Sequence, residues 1–327
     1  MKVYITLDYE LFFGLKSGSA KECILDPTEK LLAIAEKHGI NLNFFVDSGY
    51  LLALEKYSKR YPSVGYEKEQ VFSQIKRIVR AGHDCQLHIH PHWEDSYHDG
   101  DNWRMNTERY RLDQFSPAQI KQIIESYFSI LKEVSGNSPI AYRAGGWCLP
   151  LWDLLTDTFK KLGVWIDSTI YENGYMEEGA IRFDFRNAPA LDQWLFENDP
   201  FKTDPYGSFM ELPISSTRTS PLFFWNLYIK GRLNRSLHKS MGNGVPVAQK
   251  SIKKKLLTEY SYQAVSCDGY FSGMLQEQFN KRNKTNDSMV IIGHPKAQTL
   301  FSLEKLDAFI GSVKEKCHFA RYSDLQQ

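Results

Sequence analysis

Along this chain the apolar positions switch repeatedly between a strand-like and a helical period. A short β-branched run over 3–6 breaks on the carboxylates Asp8 and Glu10, and after Asp26-Pro27 apolar residues return at helical spacing through Leu31, Leu32, Ile34 and Ala35 to Gly39. The order strand, polar end, helix then repeats. The spacing predicts further strands over 42–46, 85–92, 140–143, 164–167, 210–213 and 289–294, and a helix over 71–81 closed by Gly82. Ser116-Pro117 caps an amphipathic helix carrying Ile120, Ile123, Ile124, Tyr127, Ile130 and Leu131 on one side.

Strands that alternate with helices imply a parallel sheet, and 327 residues are enough for that sheet to close into a barrel. In such folds chemistry collects at the C-terminal ends of the strands. Asp8, His88, His92, Arg143, Asp167 and His294 all fall at predicted strand ends. The rhythm breaks over 217–258, which holds nine basic residues, no Asp or Glu, and the aromatic cluster Phe223, Phe224, Trp225 and Tyr228. We read one barrel domain over 1–327 with a basic and aromatic insertion late in it, at about 217–285. Aromatic rings beside local cations suit a membrane interface, so this insertion is a candidate for peripheral contact with an anionic membrane surface.

Charge and cysteine usage narrow the partners. Forty basic residues against 39 acidic ones leave a formal net charge of +1, so no global field favours nucleic acid. Five cysteines, odd in number and without a C-x-x-C pair, argue against a disulfide framework and for a reducing compartment. The opening MKVYITLDYE has neither a basic n-region nor an apolar h-region, and no run approaches the length of a membrane span. The expectation is a cytoplasmic protein, with the inner membrane face as a second address through the insertion. Nothing in the sequence reads out an oligomeric state.

The strongest chemical signal is GHDCQLHIHPHW, Gly82 to Trp93, in which His88, His90 and His92 cluster beside Pro91. Imidazoles together with one carboxylate make a metal site that leaves positions open for water and substrate. In a continuous strand all three rings would share a face, whereas Pro91 predicts a strand turning into a loop. TLDYE supplies two carboxylates, one to bind metal and the other to act as base, and the spacing alone leaves open which is which. AYRAGGWC places Arg143 ahead of two glycines whose N–H groups can approach a substrate closely.

Taken in order, TLDYE, GHDCQLHIHPH, YRAGGW, IDST, MELP and IIGHP resemble the polysaccharide deacetylase family, the NodB homology domain of carbohydrate esterase family 4, from residue 3 to about 296. The resemblance implies a distorted (β/α)7 barrel and metal-assisted removal of an acetyl group from an N-acetylated sugar or glycan. It implies one divalent ion, Zn²⁺ first and Co²⁺, Ni²⁺ or Mn²⁺ as substitutes, on Glu10, His88 and His92. Asp8 is then the base, paired with Arg143. His294 is the acid, charged by Asp167, and the Gly146 N–H holds the oxyanion. His90, Trp93 and Trp147 remain for the substrate, with Trp147 replacing an aromatic wall that the family's third motif normally supplies and AGG here lacks. Two other readings stay open: an amidohydrolase acting on a small non-sugar amide, and a catalytically inactive glycan-binding barrel.

Overall fold

Seven parallel strands carry the architecture among the residues that the computed structural model describes, 1–246 and 252–325. They are Lys2–Tyr9, Asn43–Asp47, Asp84–Ile89, Ala141–Ala144, Ile166–Asp167, Phe209–Glu211 and Ser288–Gly293. In space the order runs from Phe209–Glu211 through Ile166–Asp167, Ala141–Ala144, Asp84–Ile89 and Asn43–Asp47 to Lys2–Tyr9 and Ser288–Gly293. Trp194–Phe196 adds an antiparallel edge beside Phe209–Glu211, and His318–Phe319 pairs with the start of the first strand. The sheet curls until its ends meet through irregular contacts. Ser215 N–H donates to Val290 O at 3.0 Å, and Ile292 N–H to Val265 O at 3.0 Å. This is a distorted (β/α)7 barrel, open to regular pairing at one seam.

Burial explains why so many strand residues are apolar. All of the first strand except Lys2 is buried, as are all positions of Asn43–Asp47 and Asp84–Ile89, because helices cover one face and the barrel interior the other. The helix Pro117–Ser135 starts where the sequence places it: Ser116 Oγ accepts from Gln119 N, the Gln119 side chain returns to the Ser116 N–H, and Gly136 ends it at φ +81°. The predicted helix over 71–81 begins a full two turns earlier, as Pro62–Arg80, with Pro62 in its first turn where no N–H is needed. The strand predicted over 85–92 stops at Ile89. Pro91, lacking a donor, opens a 3-10 turn over Pro91–Glu94 instead.

The interval between the strands Phe209–Glu211 and Ser288–Gly293 holds the insertion. Ser216–Thr219 pairs antiparallel with Ser261–Ala264, and between them lie the helices Pro221–Leu233, Arg235–His238 and Ile252–Thr258. Lys250 falls outside the described residues. No helix among the described residues is long and apolar enough to cross a membrane.

Candidate active site

Asp8 and Glu10 stand two residues apart at the end of the first strand, so the strand's alternation turns both toward the barrel mouth. Arg143, at the end of a strand three places away, is fully enclosed. Its Nη1 lies 2.5 Å from Asp8 Oδ1 and 3.1 Å from Thr6 Oγ1, its Nε donates to Ser168 O at 2.8 Å, and its plane lies over the Phe45 ring at 3.9 Å. Every direction of the guanidinium is therefore used, and Asp8 Oδ1 is held while Oδ2 faces the cavity.

His88 and His90 share one face, as the period of two requires. His88 Nδ1 donates to Arg143 O at 2.9 Å, which leaves Nε2 pointing at Glu10 Oε2, 3.1 Å away. His90 Nε2 lies 2.6 Å from the same oxygen and 3.1 Å from His88 Nε2. One atom each from Glu10, His88 and His90 lie within 4.8 Å of one another. Two imidazole nitrogens and a carboxylate oxygen converging on one point, one ring anchored through its far nitrogen, make a donor set that fits a divalent cation. Burial disfavours a charged His88, but Asp8, Glu10 and Asp47 outweigh it and raise its pKa. Burial lowers His90 to about 4. For Glu10 burial works the other way, and Lys296 with the two histidines still holds its carboxyl well below the usual range.

His92, expected as a ligand, stands apart from this cluster. The turn at Pro91 carries it away from the cluster and seals its ring between Phe13, at 4.5 Å, and Tyr110, at 5.5 Å and 15°. Both of its ring nitrogens lack a hydrogen-bond partner among the described residues, and burial depresses its pKa strongly. His90, expected as a neighbour, takes the place expected for His92.

Asp167, expected beside His294, lies elsewhere. It is fully buried against Thr169, whose hydroxyl donates to Oδ1 at 2.6 Å, and it interacts with Glu211 on the adjacent strand. The carboxylate at His294 is Asp268: His294 Nδ1 lies 2.7 Å from Asp268 Oδ2, and the His294 N–H donates to Asp268 Oδ1 at 2.7 Å. Gln298 Nε2 donates to that Oδ1 at 2.9 Å. Burial opposes a charged His294, but Asp268 first, then Asp8 and Glu10, raise its pKa to about 9. His294 Nε2 faces Asp8 Oδ2 at 3.7 Å and Glu10 Oε1 at 3.8 Å across the mouth.

These groups line one cavity of about 870 Å³, walled by Phe12, Phe13, Tyr110, Trp147 and Phe271. Gly146 lines this cavity, and Gly145 precedes it against the His90 ring. A Cβ at Gly145 would sit 2.4 Å from the His90 ring, and one at Gly146, where φ is +60°, would meet Tyr110 Oη at 2.7 Å. Only glycine lets main chain approach both rings so closely. Trp147 lines the cavity as expected of an aromatic wall. Trp93 does not. It is buried, donates from Nε1 to Asp47 Oδ2 at 2.6 Å, and packs on Tyr50 and Trp103.

Two site residues escape sequence reasoning. Lys296 Nζ lies 2.7 Å from Glu10 Oε1 and 2.6 Å from Leu11 O, and Asp268 arrives from the far end of the insertion. Lys296 stands two residues after His294 in the same strand-end segment, a signal that was present. Asp268 follows an apolar stretch, Val265 to Cys267, with no local mark of its role.

No family profile and no curated protein sequence matches the chain. Solved structures do. Puue allantoinase is 14% identical over 99% of this chain and 88% of its own, with a TM-score of 0.50. A polysaccharide deacetylase candidate from Mycobacterium smegmatis is 17% identical over 92% of this chain and 75% of its own, with a TM-score of 0.49. The peptidoglycan N-acetylglucosamine deacetylase Bc1960 is 14% identical over 99% and 86%, with a TM-score of 0.43. At these identities the likeness concerns the fold alone, and the chain shares its distorted barrel with Puue allantoinase.

Proposed function

We propose that this protein is a metal-dependent hydrolase that removes the acetyl group from an N-acetylated amino sugar in a glycan or glycan precursor. The observation that carries the reading is the opposition of Asp8 and His294 across 3.7 Å, each fixed by its own charged partner, beside the Glu10, His88 and His90 donor set. Amide hydrolysis needs a base for water, a charge-stabilising site for the tetrahedral oxygen and an acid for the amine. Glu10, His88 and His90 would hold the divalent ion, Zn²⁺ by preference, and that ion supplies Lewis acidity.

The chain's own groups supply the rest. Asp8, kept anionic by Arg143, takes a proton from water as its oxygen bonds to the acyl carbon. The Gly146 N–H donates to the oxyanion. His294, protonated at neutral pH because its pKa lies at about 9, gives its proton to the nitrogen as the C–N bond breaks, leaving acetate and a free amino sugar. The aromatic walls suit the apolar faces of a sugar ring. All five cysteines are free thiols, which supports a reducing compartment and hence a precursor assembled inside the cell.

Acetate release from a panel of N-acetyl amino sugars, free, nucleotide-linked and lipid-linked, tests the proposal. Release that a chelator abolishes is expected. Hydrolysis of allantoin or other small amides with no acetate from any sugar would replace this reading by an amidohydrolase. Glycan binding without turnover in metal-loaded protein would replace it by an inactive binding barrel.

A further inference from the structure

The helix Pro221–Leu233 is apolar on two opposite sides; the structure covers one of them, while the other is flanked by the helix Ile252–Thr258, with Trp225 Nε1 donating to Leu257 O at 3.1 Å. Phe223 packs on Tyr270 at 5.2 Å and on Phe271 at 5.1 Å, and Phe224 is buried beside them. On the other side Leu222, Trp225, Ile229 and Leu233 form a stripe at i, i+3, i+7 and i+11, with 66, 46, 48 and 76% of their surfaces exposed. Apolar side chains aligned this way on a helix surface mark a face that something else covers. Lys230 borders the stripe on one side and Arg232 on the other, and Arg235 continues the basic edge into the next short helix. No acidic residue lies anywhere in 217–258.

We infer that this face of the insertion docks on an anionic lipid surface. Leu222, Trp225, Ile229 and Leu233 enter the headgroup layer while Lys230, Arg232 and Arg235 meet its phosphates. Charge decides between occupants. In a two-fold pairing of two copies the same patch faces itself, so Lys230, Arg232 and Arg235 would oppose their own counterparts with no acid between them. An anionic bilayer has the complementary sign, and an indole is suited to its boundary. Position matters as well. Phe271, on which the covered side of the helix packs, also lines the cavity, so the docking helix rests on one wall of that cavity. The docking is independent of which bond the site cleaves.

Full-length protein sedimented with vesicles of phosphatidylcholine, alone or with one-third phosphatidylglycerol, tests the inference. Binding is expected to the anionic vesicles only and to weaken as salt rises. Each cation near such a surface is worth about fivefold in partitioning, so Lys230→Glu with Arg232→Glu should lower it by more than about 25-fold. Leu222→Ser with Ile229→Ser should abolish it, with circular dichroism and bound-metal content unchanged in both variants. Equal binding to neutral and anionic vesicles, no binding to either, or unaltered binding by the variants overturns the inference. A concentration-dependent dimer that Ile229→Ser dissociates overturns it in favour of a second copy.

Discussion

Lys296 sets its ammonium 2.7 Å from Oε1 of Glu10, while Oε2 of the same carboxylate faces the Nε2 atoms of His88 and His90 at 3.1 and 2.6 Å. One buried carboxylate is thus divided between a fixed cation and a pair of imidazoles. Lys296 also donates to Leu11 O, so it ties the loop after the first strand to the segment after the last. The orientation of Glu10 follows from this contact, since among the described residues the next charged group at Oε1, His294 Nε2, stands 3.8 Å away.

Replacing Lys296 by Met should therefore destabilise the metal-free protein by about 3–5 kcal/mol, the usual cost of removing one partner of a buried pair. The pH dependence gives the cause. Glu10 has a depressed folded pKa, so its contribution is present above the unfolded value of about 4.3 and is lost as pH falls through the folded one. The gap between wild type and variant in urea midpoints, measured after chelation, should be widest near neutrality and narrow in acid. A gap independent of pH would reduce Lys296 to a packing role.

The two candidate sets of metal ligands separate cleanly. His88→Ala with His90→Ala should lose the divalent ion, and His92→Phe should keep one equivalent per chain by elemental analysis. The latter should also be neutral or mildly stabilising, because it replaces two buried, unpartnered ring nitrogens by an aromatic ring in a slot already walled by Phe13 and Tyr110. Loss of metal in His92→Phe would restore the assignment made from sequence.

Asp268→Asn should shift the alkaline limb of kcat/KM. In the wild type that limb reports loss of the His294 proton near pH 9. Removing the first of the groups that raise it leaves burial in place, so the limb should move to lower pH while metal content is unchanged. Stability follows the same sign: a raised folded pKa contributes fully below the unfolded value of about 6.5 and is lost as pH rises through about 9. An Asp167→Asn variant that moved the limb equally would give Asp167 the role that geometry gives Asp268.

What could be read in the sequence and what could not divide along the range of the interactions. Strand and helix periods, Ser116 at its cap and the convergence of Asp8, His88, Arg143 and His294 at strand ends are set by local pattern and by the parallel topology, so they are visible in one dimension. The partner of His294 is not. Asp268 reaches it by way of an irregular segment at the barrel seam, where Cys267 N–H donates to Ile292 O, and no period marks such a pairing. The choice between His90 and His92 turned on where a strand ends. Pro91 signalled that end, yet the ligand spacing implied by resemblance drew attention past it. Trp93 is ambiguous in one dimension, since an aromatic residue beside a His cluster reads equally as a substrate wall or as core, and its indole N–H meets Asp47 inside the protein.

The division of labour between the two N-terminal carboxylates can be tested by Asp8→Asn against Glu10→Gln. Asp8 is bound on one oxygen by Arg143 and turns the other toward His294, whereas Glu10 alone offers an oxygen to both His88 and His90. Asn at position 8 keeps the shape but cannot take a proton from water, so kcat should fall by about 10²–10⁴-fold with the metal retained. Arg143 would lose the anion for its buried charge and keep only Ser168 and Thr6, which should cost about 3 kcal/mol or more of stability, so rates must be compared well below the melting temperature. Gln at position 10 should instead weaken metal binding directly, with kcat recovering as the ion is added in excess. The opposite pattern, with metal lost from Asp8→Asn and held by Glu10→Gln, would exchange the two roles.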